Sequence, residues 1–103
     1  MEISKSDVVL STAGHDKGLL FYVIETDGVY ASLVNGKERK LEQPKRKKLI
    51  HVRKVLRPDS DLARRIRAGE RILNSELRRE LAALGQQINV STKEGNETWQ
   101  KTT

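Results

Sequence analysis

The sequence predicts a mainly β domain with an α-helical C-terminal part: a small, strongly bent antiparallel barrel over residues 1–57, a short helical hairpin over 58–85 and a disordered polar tail over 86–103. Short apolar runs separated by Asp-Gly, Asn-Gly and other Gly-containing breaks fill the first half, the pattern of strands joined by tight turns. After Arg57-Pro58 the apolar period lengthens from that of a strand to that of a helix. The last stretch is rich in Thr, Asn, Gln and Lys and has no period, a composition that buries too little apolar surface to order itself.

Val8 and Leu10 alternate with Val9 and Ser11 in a first strand that halts at Ala13-Gly14. A dense run, Leu19 to Ile24, closes at Asp27-Gly28, and Val29–Val34 forms the return strand. At least one of Phe21 and Tyr22 must be core. Asn35-Gly36 is a second hairpin signal and leads into a fourth strand over Lys37–Leu41. A loop around Gln43-Pro44 then carries the basic run Lys45–Lys48. Leu49–Leu56 alternates again, with Ile50, Val52 and Leu56 toward the core and His51 and Lys54 outward. That parity points Arg53 inward unless a bulge or the strand end turns it, so which of Arg53 and Lys54 faces out stays open. Five short strands within about fifty residues favour a barrel, which leaves no free edges.

In the helical part, Asp59 or Ser60 is the N-cap of a first helix whose Leu62, Ala63 and Ile66 share a face, and Gly69 stops it. Asn74 caps a second helix, with Glu76 in its first turn, Leu77, Leu81 and Leu84 along its face, and Gly85 at its end. One longer helix is the rival reading, because a stripe through Leu62, Ile66, Leu73, Leu77, Leu84 and Ile88 nearly persists across Gly69. The bracketing of a turn by Gly69 and Asn74 favours two helices.

With 103 residues, 36% hydrophobic and 33% charged, the chain supports one small domain. Cysteine is absent, which excludes disulfides and thiolate metal sites and suits the cytosol. No apolar run is long enough to span a bilayer and the opening MEISKSDVV has no apolar signal core, so a cytoplasmic protein without membrane contact is expected. His15 and His51 lack metal-ligand spacing, and there is no Cys nucleophile, no G-x-S-x-G and no P-loop. The expectation is therefore a non-enzyme with no metal, no cofactor and no small-molecule substrate.

Charge is the stronger signal. Ten of the twenty Lys and Arg residues lie between Lys37 and Arg57, against only Glu38 and Glu42, a local balance of 10 − 2 = +8. Residues 1–36 carry 2 − 5 = −3 and residues 58–103 carry 8 − 7 = +1. A basic cluster of this density is how a protein meets a polyanion, since each cation placed on a phosphate releases condensed counterions. Phe21, Tyr22, Tyr30 and Trp99 are the whole aromatic complement. So few stacking platforms favour backbone and shape recognition of folded RNA over reading of splayed bases. Gly14 and Gly18 let the backbone approach a ligand closely, and His15 and Lys17 project from the same loop.

The segment DVVLSTAGHDKGLLFYVIETDGVYASLVNG from Asp7 resembles the KOW motif: an acidic-apolar opening, a Gly-rich loop with Gly14, Lys17 and Gly18, a hydrophobic strand, a turn and a second strand ending at Val34-Asn35-Gly36. Ser6 stands where the motif often opens with glycine. The continuation LEQPKRKKLIHVRKV is similar to the KOW-bearing large-subunit ribosomal proteins of archaeal and eukaryotic type. The resemblance spans residues 6 to 56, about half the chain. It implies an SH3-like barrel whose loops bind RNA, often ribosomal RNA. The expected function is non-catalytic binding of structured RNA as a ribosomal or ribosome-associated protein, with ribosomal or other translation proteins as further partners. The expected contacts are His15, Lys17, Lys37, Arg39, Lys40, Lys45, Arg46, Lys47, Lys48, His51 and Arg53, with Gly14 and Gly18 shaping the motif loop. The alternative is a protein-interaction module of the transcription or translation machinery, as in elongation-factor barrels that resemble this motif. The helical arginines, Arg64 to Arg79, read as a solvated, ion-paired surface.

Overall fold

The computed structural model describes residues 2–96. Five strands, β1 (Val8–Ser11), β2 (Leu20–Thr26), β3 (Tyr30–Val34), β4 (Lys45–Lys48) and β5 (Val52–Leu56), precede two helices, α1 (Asp61–Ala68) and α2 (Asn74–Asn96). All strand pairings are antiparallel, in the order β4-β3-β2-β1-β5. The mainly β fold with a C-terminal α part is thus as the sequence predicts. The sheet is open, with β4 and β5 as its two edges.

Open does not mean flat. The two edge strands are joined by a single 3₁₀ turn of three residues, Leu49–His51. Four strand spacings of about 4.8 Å would hold the edges of a flat sheet roughly 19 Å apart, beyond the span of so short a turn, which rises about 2 Å per residue. The sheet must therefore curl until its edges approach. Burial agrees: Val9, Phe21, Val23, Ala31, Leu33 and Val52 form one core cluster to which no helix contributes. The curl of the sheet covers it, with Ile3, Leu19 and Leu49 packed against it from outside the strands. Bulges between Val23 and Glu25, and opposite Val8 and Val9, supply local bending.

The opposite face carries Val8, Tyr22 and Val34, which pack against Leu62, Ala63, Ile66, Leu77 and Leu81. Phe21 and Tyr22 are both fully buried, on opposite faces of the central strand. Tyr22 Oη donates to Glu80 Oε2, and Ser60 Oγ donates to the same carboxylate oxygen at 2.7 Å. One acid on α2 thereby ties together β2 and the cap of α1. Burial, then the Glu80 carboxylate, pushes the Tyr22 phenol well above its usual range.

α1 begins and ends as its sequence indicates. Ser60 Oγ accepts from the Ala63 amide at 3.1 Å, and Gly69 adopts a left-handed conformation with its N–H on the Arg65 and Ile66 carbonyls. α2 departs twice from expectation. Its cap is not the Asn74 side chain; instead Glu76 Oε1 reaches back to accept from the Leu73 amide at 2.9 Å, half of a capping box. Nor does it end at Gly85: the helix runs on to Asn96, through residues expected to be disordered. One helical glycine costs only about 1 kcal/mol, and the apolar stripe of Leu77, Leu81 and Leu84 continues to Ile88. Residues 97–103 of the expected tail, Trp99 among them, lie outside the described residues.

Two strand assignments are also corrected. Lys37–Leu41 is a loop, because the Asn35 carboxamide oxygen accepts from the Lys37 amide at 3.0 Å and the Arg39 amide at 2.9 Å, folding the chain back on itself. The basic run Lys45–Lys48, expected in a loop, is strand β4, with Lys45 to Lys48 paired to Leu33 to Tyr30. In β5 the extra residue Val55 shifts the register. Arg53 is exposed and Lys54 turns in to Asp7 at 3.4 Å, so Arg53 is the one that faces out. Ile50, expected in the core, is 79% exposed on the 3₁₀ turn.

Candidate nucleic-acid interface

The β1–β2 loop is built on two glycines with positive φ, Gly14 (85°) and Gly18 (91°). Ser11 starts and closes it: its carbonyl accepts from the Gly18 amide at 2.9 Å and its Oγ donates to Asp16 Oδ1 at 2.8 Å. Lys47 then reaches across from β4. Its Nζ donates to the Ala13 carbonyl at 2.8 Å and to Asp16 Oδ1 at 2.9 Å, and the residue is 9% exposed. Burial of Asp16 opposes its ionised form, but the hydrogen bonds from Lys47 and Ser11 outweigh it and hold the carboxyl below its usual range.

This tether corrects one expected contact. Lys47 is not an outward phosphate ligand; its charge is neutralised inside the fold, where it pins the glycine loop to the edge strand. Gly14, His15, Arg39 and Lys45 consequently line one groove, with Leu19 and Phe21 in its floor. Across Glu38 the groove continues into a second depression beside Lys37 and Lys40. Lys17 is exposed at the loop tip. Among the described residues none of Lys17, Lys37, Arg39, Lys40 and Lys45 is held in an ion pair.

The loop over residues 35–42 is held from behind by α2. Gly36 has φ 79° and lies so close to α2 that an added Cβ would overlap the Asn74 carbonyl oxygen. Arg78 Nη1 donates to the Gly36 carbonyl at 2.6 Å, Asn74 Oδ1 accepts from the Leu41 amide at 2.9 Å, and Asn74 Nδ2 donates to Glu42 at 3.0 Å. Asn74, read from sequence as a helix cap, is a loop anchor. The sequence carries no signal for this pairing, since it joins residues more than thirty positions apart.

The remaining expected residues go elsewhere. Strand alternation sends Arg46 and Lys48 to the other face of β4, where they sit over the Tyr30 ring at 4.0 and 5.9 Å from its centroid. Arg46 also approaches Asp27 at 3.8 Å, with both side chains largely exposed. His51 is exposed on the 3₁₀ turn, its carbonyl accepting from the Thr12 amide at 2.9 Å. Arg53 lines a different groove beside β5. The eleven expected contacts therefore fall into a groove group (His15, Lys37, Arg39, Lys40, Lys45), Lys17 exposed on the adjoining loop, a Tyr30 group, a buried tether and two outliers.

No protein-family model matches the chain, and no curated protein matches its sequence. Among the described residues, no helix is long and apolar enough to cross a membrane, and no group of three His, Asp or Glu is placed to hold a metal ion.

Proposed function

We propose that the protein is a non-catalytic binder of structured RNA, ribosomal RNA foremost, built on a KOW-type small barrel. The observation that carries this reading is the Lys47 tether. It draws the Gly14–Gly18 loop onto β4 at a groove that Arg39 of the 35–42 loop also lines. Although Glu38 and Glu42 lie beside them, none of Lys37, Arg39, Lys40 and Lys45 is held in an ion pair among the described residues. Three details support the barrel type. The curled five-strand order has its edges joined by a 3₁₀ turn. Both motif glycines use positive φ. Ser6, at the position where the motif often has glycine, is the one described non-glycine residue with positive φ, at 75°.

The groove cations would contact phosphates and thereby set affinity, while the loop backbone fits the shape of a folded strand. The test is the salt dependence of binding to a fluorescent fragment of structured ribosomal RNA. Replacing Lys37, Arg39, Lys40 and Lys45 together by Ser should reduce the log–log slope by about 3 to 4, since each neutralised phosphate accounts for about 0.9. An unchanged slope in a folded variant would remove those residues from the interface. Sequencing of RNA crosslinked to the protein in cells addresses the target: without ribosomal enrichment, the ribosomal assignment fails.

A further inference from the structure

A second groove lies beside β5, away from the basic one. Val52, Arg53 and Lys54 of β5, an edge strand of the sheet, line it together with residues 2–5 of the N-terminal segment and with Thr26 and Gly28 at the end of β2. The floor is aliphatic: Ile3, Leu49, Ile50 and Val52. Ile50 is 79% exposed, and Val29, whose carbonyl accepts from the Leu49 amide at 2.9 Å, is 59% exposed beside it. Two large aliphatic side chains held in water next to an open strand edge are a feature that soluble folds normally avoid or use.

We propose that this groove docks an extended segment of a partner protein, one carrying apolar side chains flanked by Asp or Glu. Charge selects the flanks. Lys5 and Arg53 are exposed at the rim without a carboxylate partner among the described residues, whereas Lys54 is already committed to Asp7. Among the described residues Glu2 is the single acid in the lining. Shape selects the class of partner. An extended segment can lay its apolar side chains over Ile3, Leu49 and Ile50 while its acidic flanks meet the rim. Splayed bases would find no stacking surface there, since among the described residues no aromatic side chain lines the groove, and its aliphatic floor offers a phosphate backbone nothing. The basic groove and this one would then let the protein hold RNA and a protein partner at once.

The test places the photocrosslinker p-benzoylphenylalanine at position 50 of the full chain and irradiates the producing cells. A dominant protein adduct should form whose crosslinked peptide carries acidic residues beside an apolar run. Lys5→Glu with Arg53→Glu should weaken it at least about five-fold through like-charge repulsion at the rim. Both sites are exposed, and a melting curve verifies the fold of that variant. Lys37→Glu with Lys40→Glu, which disables the basic groove, should leave the adduct in place, so docking and RNA binding fail independently. Adducts to RNA, a scatter of proteins with none dominant, or an adduct indifferent to the rim charges would overturn the proposal.

Discussion

Gly36 and Gly18 look alike in backbone angle and differ in everything around them. Both have positive φ, which costs an L-residue about 1–2 kcal/mol. Around Gly18 there is open space, so Gly18→Ala should lose about that much and no more. At Gly36 the new methyl would overlap the Asn74 carbonyl and crowd Leu77 Cβ at 3.1 Å. Gly36→Ala should therefore lose at least about 3 kcal/mol, strain added to steric overlap; urea midpoints of the two variants, compared side by side, decide the matter. Lys47 invites a pH experiment. The folded state holds the Asp16 carboxyl below its usual range, so the unfolded chain takes up a proton there first as acid is added. The contribution is present at neutral pH and is lost as pH falls below about 4, through the folded-state value. Lys47→Met keeps the buried stem but removes the ammonium. It should lower stability by roughly 1.5–3 kcal/mol at pH 7 and flatten the acid limb of the stability curve; an acid limb as steep as in the parent would mean the tether is not the cause.

The helices do more than cover the sheet. The Glu80 carboxylate receives both the Tyr22 phenol and the Ser60 hydroxyl, and the phenol is raised above its ordinary range. An unfolded tyrosine ionises near pH 10, where the folded one keeps its proton. Stability should thus decline as pH rises past about 10, and Tyr22→Phe should abolish that part of the decline while costing about 1 kcal/mol at neutral pH. Alkaline melts of the two proteins would show it. Asn74→Ala removes two hydrogen bonds that brace the 35–42 loop, one of them to Glu42 at the groove's far end, without replacing any of its cations. It should speed amide exchange at Leu41 and lower RNA affinity several-fold while α2 stays folded; unchanged exchange would show that the loop holds its shape alone.

Much of this architecture was readable from local chemistry. The first three strands announce themselves by apolar runs and Asp-Gly or Asn-Gly turns, and α1 by Ser60 and Gly69. β4 could not be read that way. A strand of four cations has no apolar period, and the burial of Lys47 depends on Asp16, thirty-one residues earlier in the chain. The loop over Lys37–Leu41 was hidden for the opposite reason: Asn35-Gly36 signals a tight hairpin, but the Asn35 side chain captures two later amides instead. Of the candidate groove, the loop glycines and most of the cations were visible as types. Their division between the faces of β4 was not, because alternation cannot be applied to a strand that is not recognised as one.

Taken as one object, the domain is a curled sheet whose first strand sits between its second and its fifth. That placement has a consequence for the order of events during synthesis. β1 and β2 can pair as soon as they leave the exit tunnel, but β1 waits for Leu56 before its other side is satisfied. The helix-covered face waits longer, until Leu81, another 81 − 56 = 25 residues. At about 5–20 residues per second, Val8, Tyr22 and Val34 wait a second or more after β5 before α2 completes their cover. The nascent chain is most prone to association in that interval, and its lysine-dense middle, already emerged, is what would keep neighbouring copies apart.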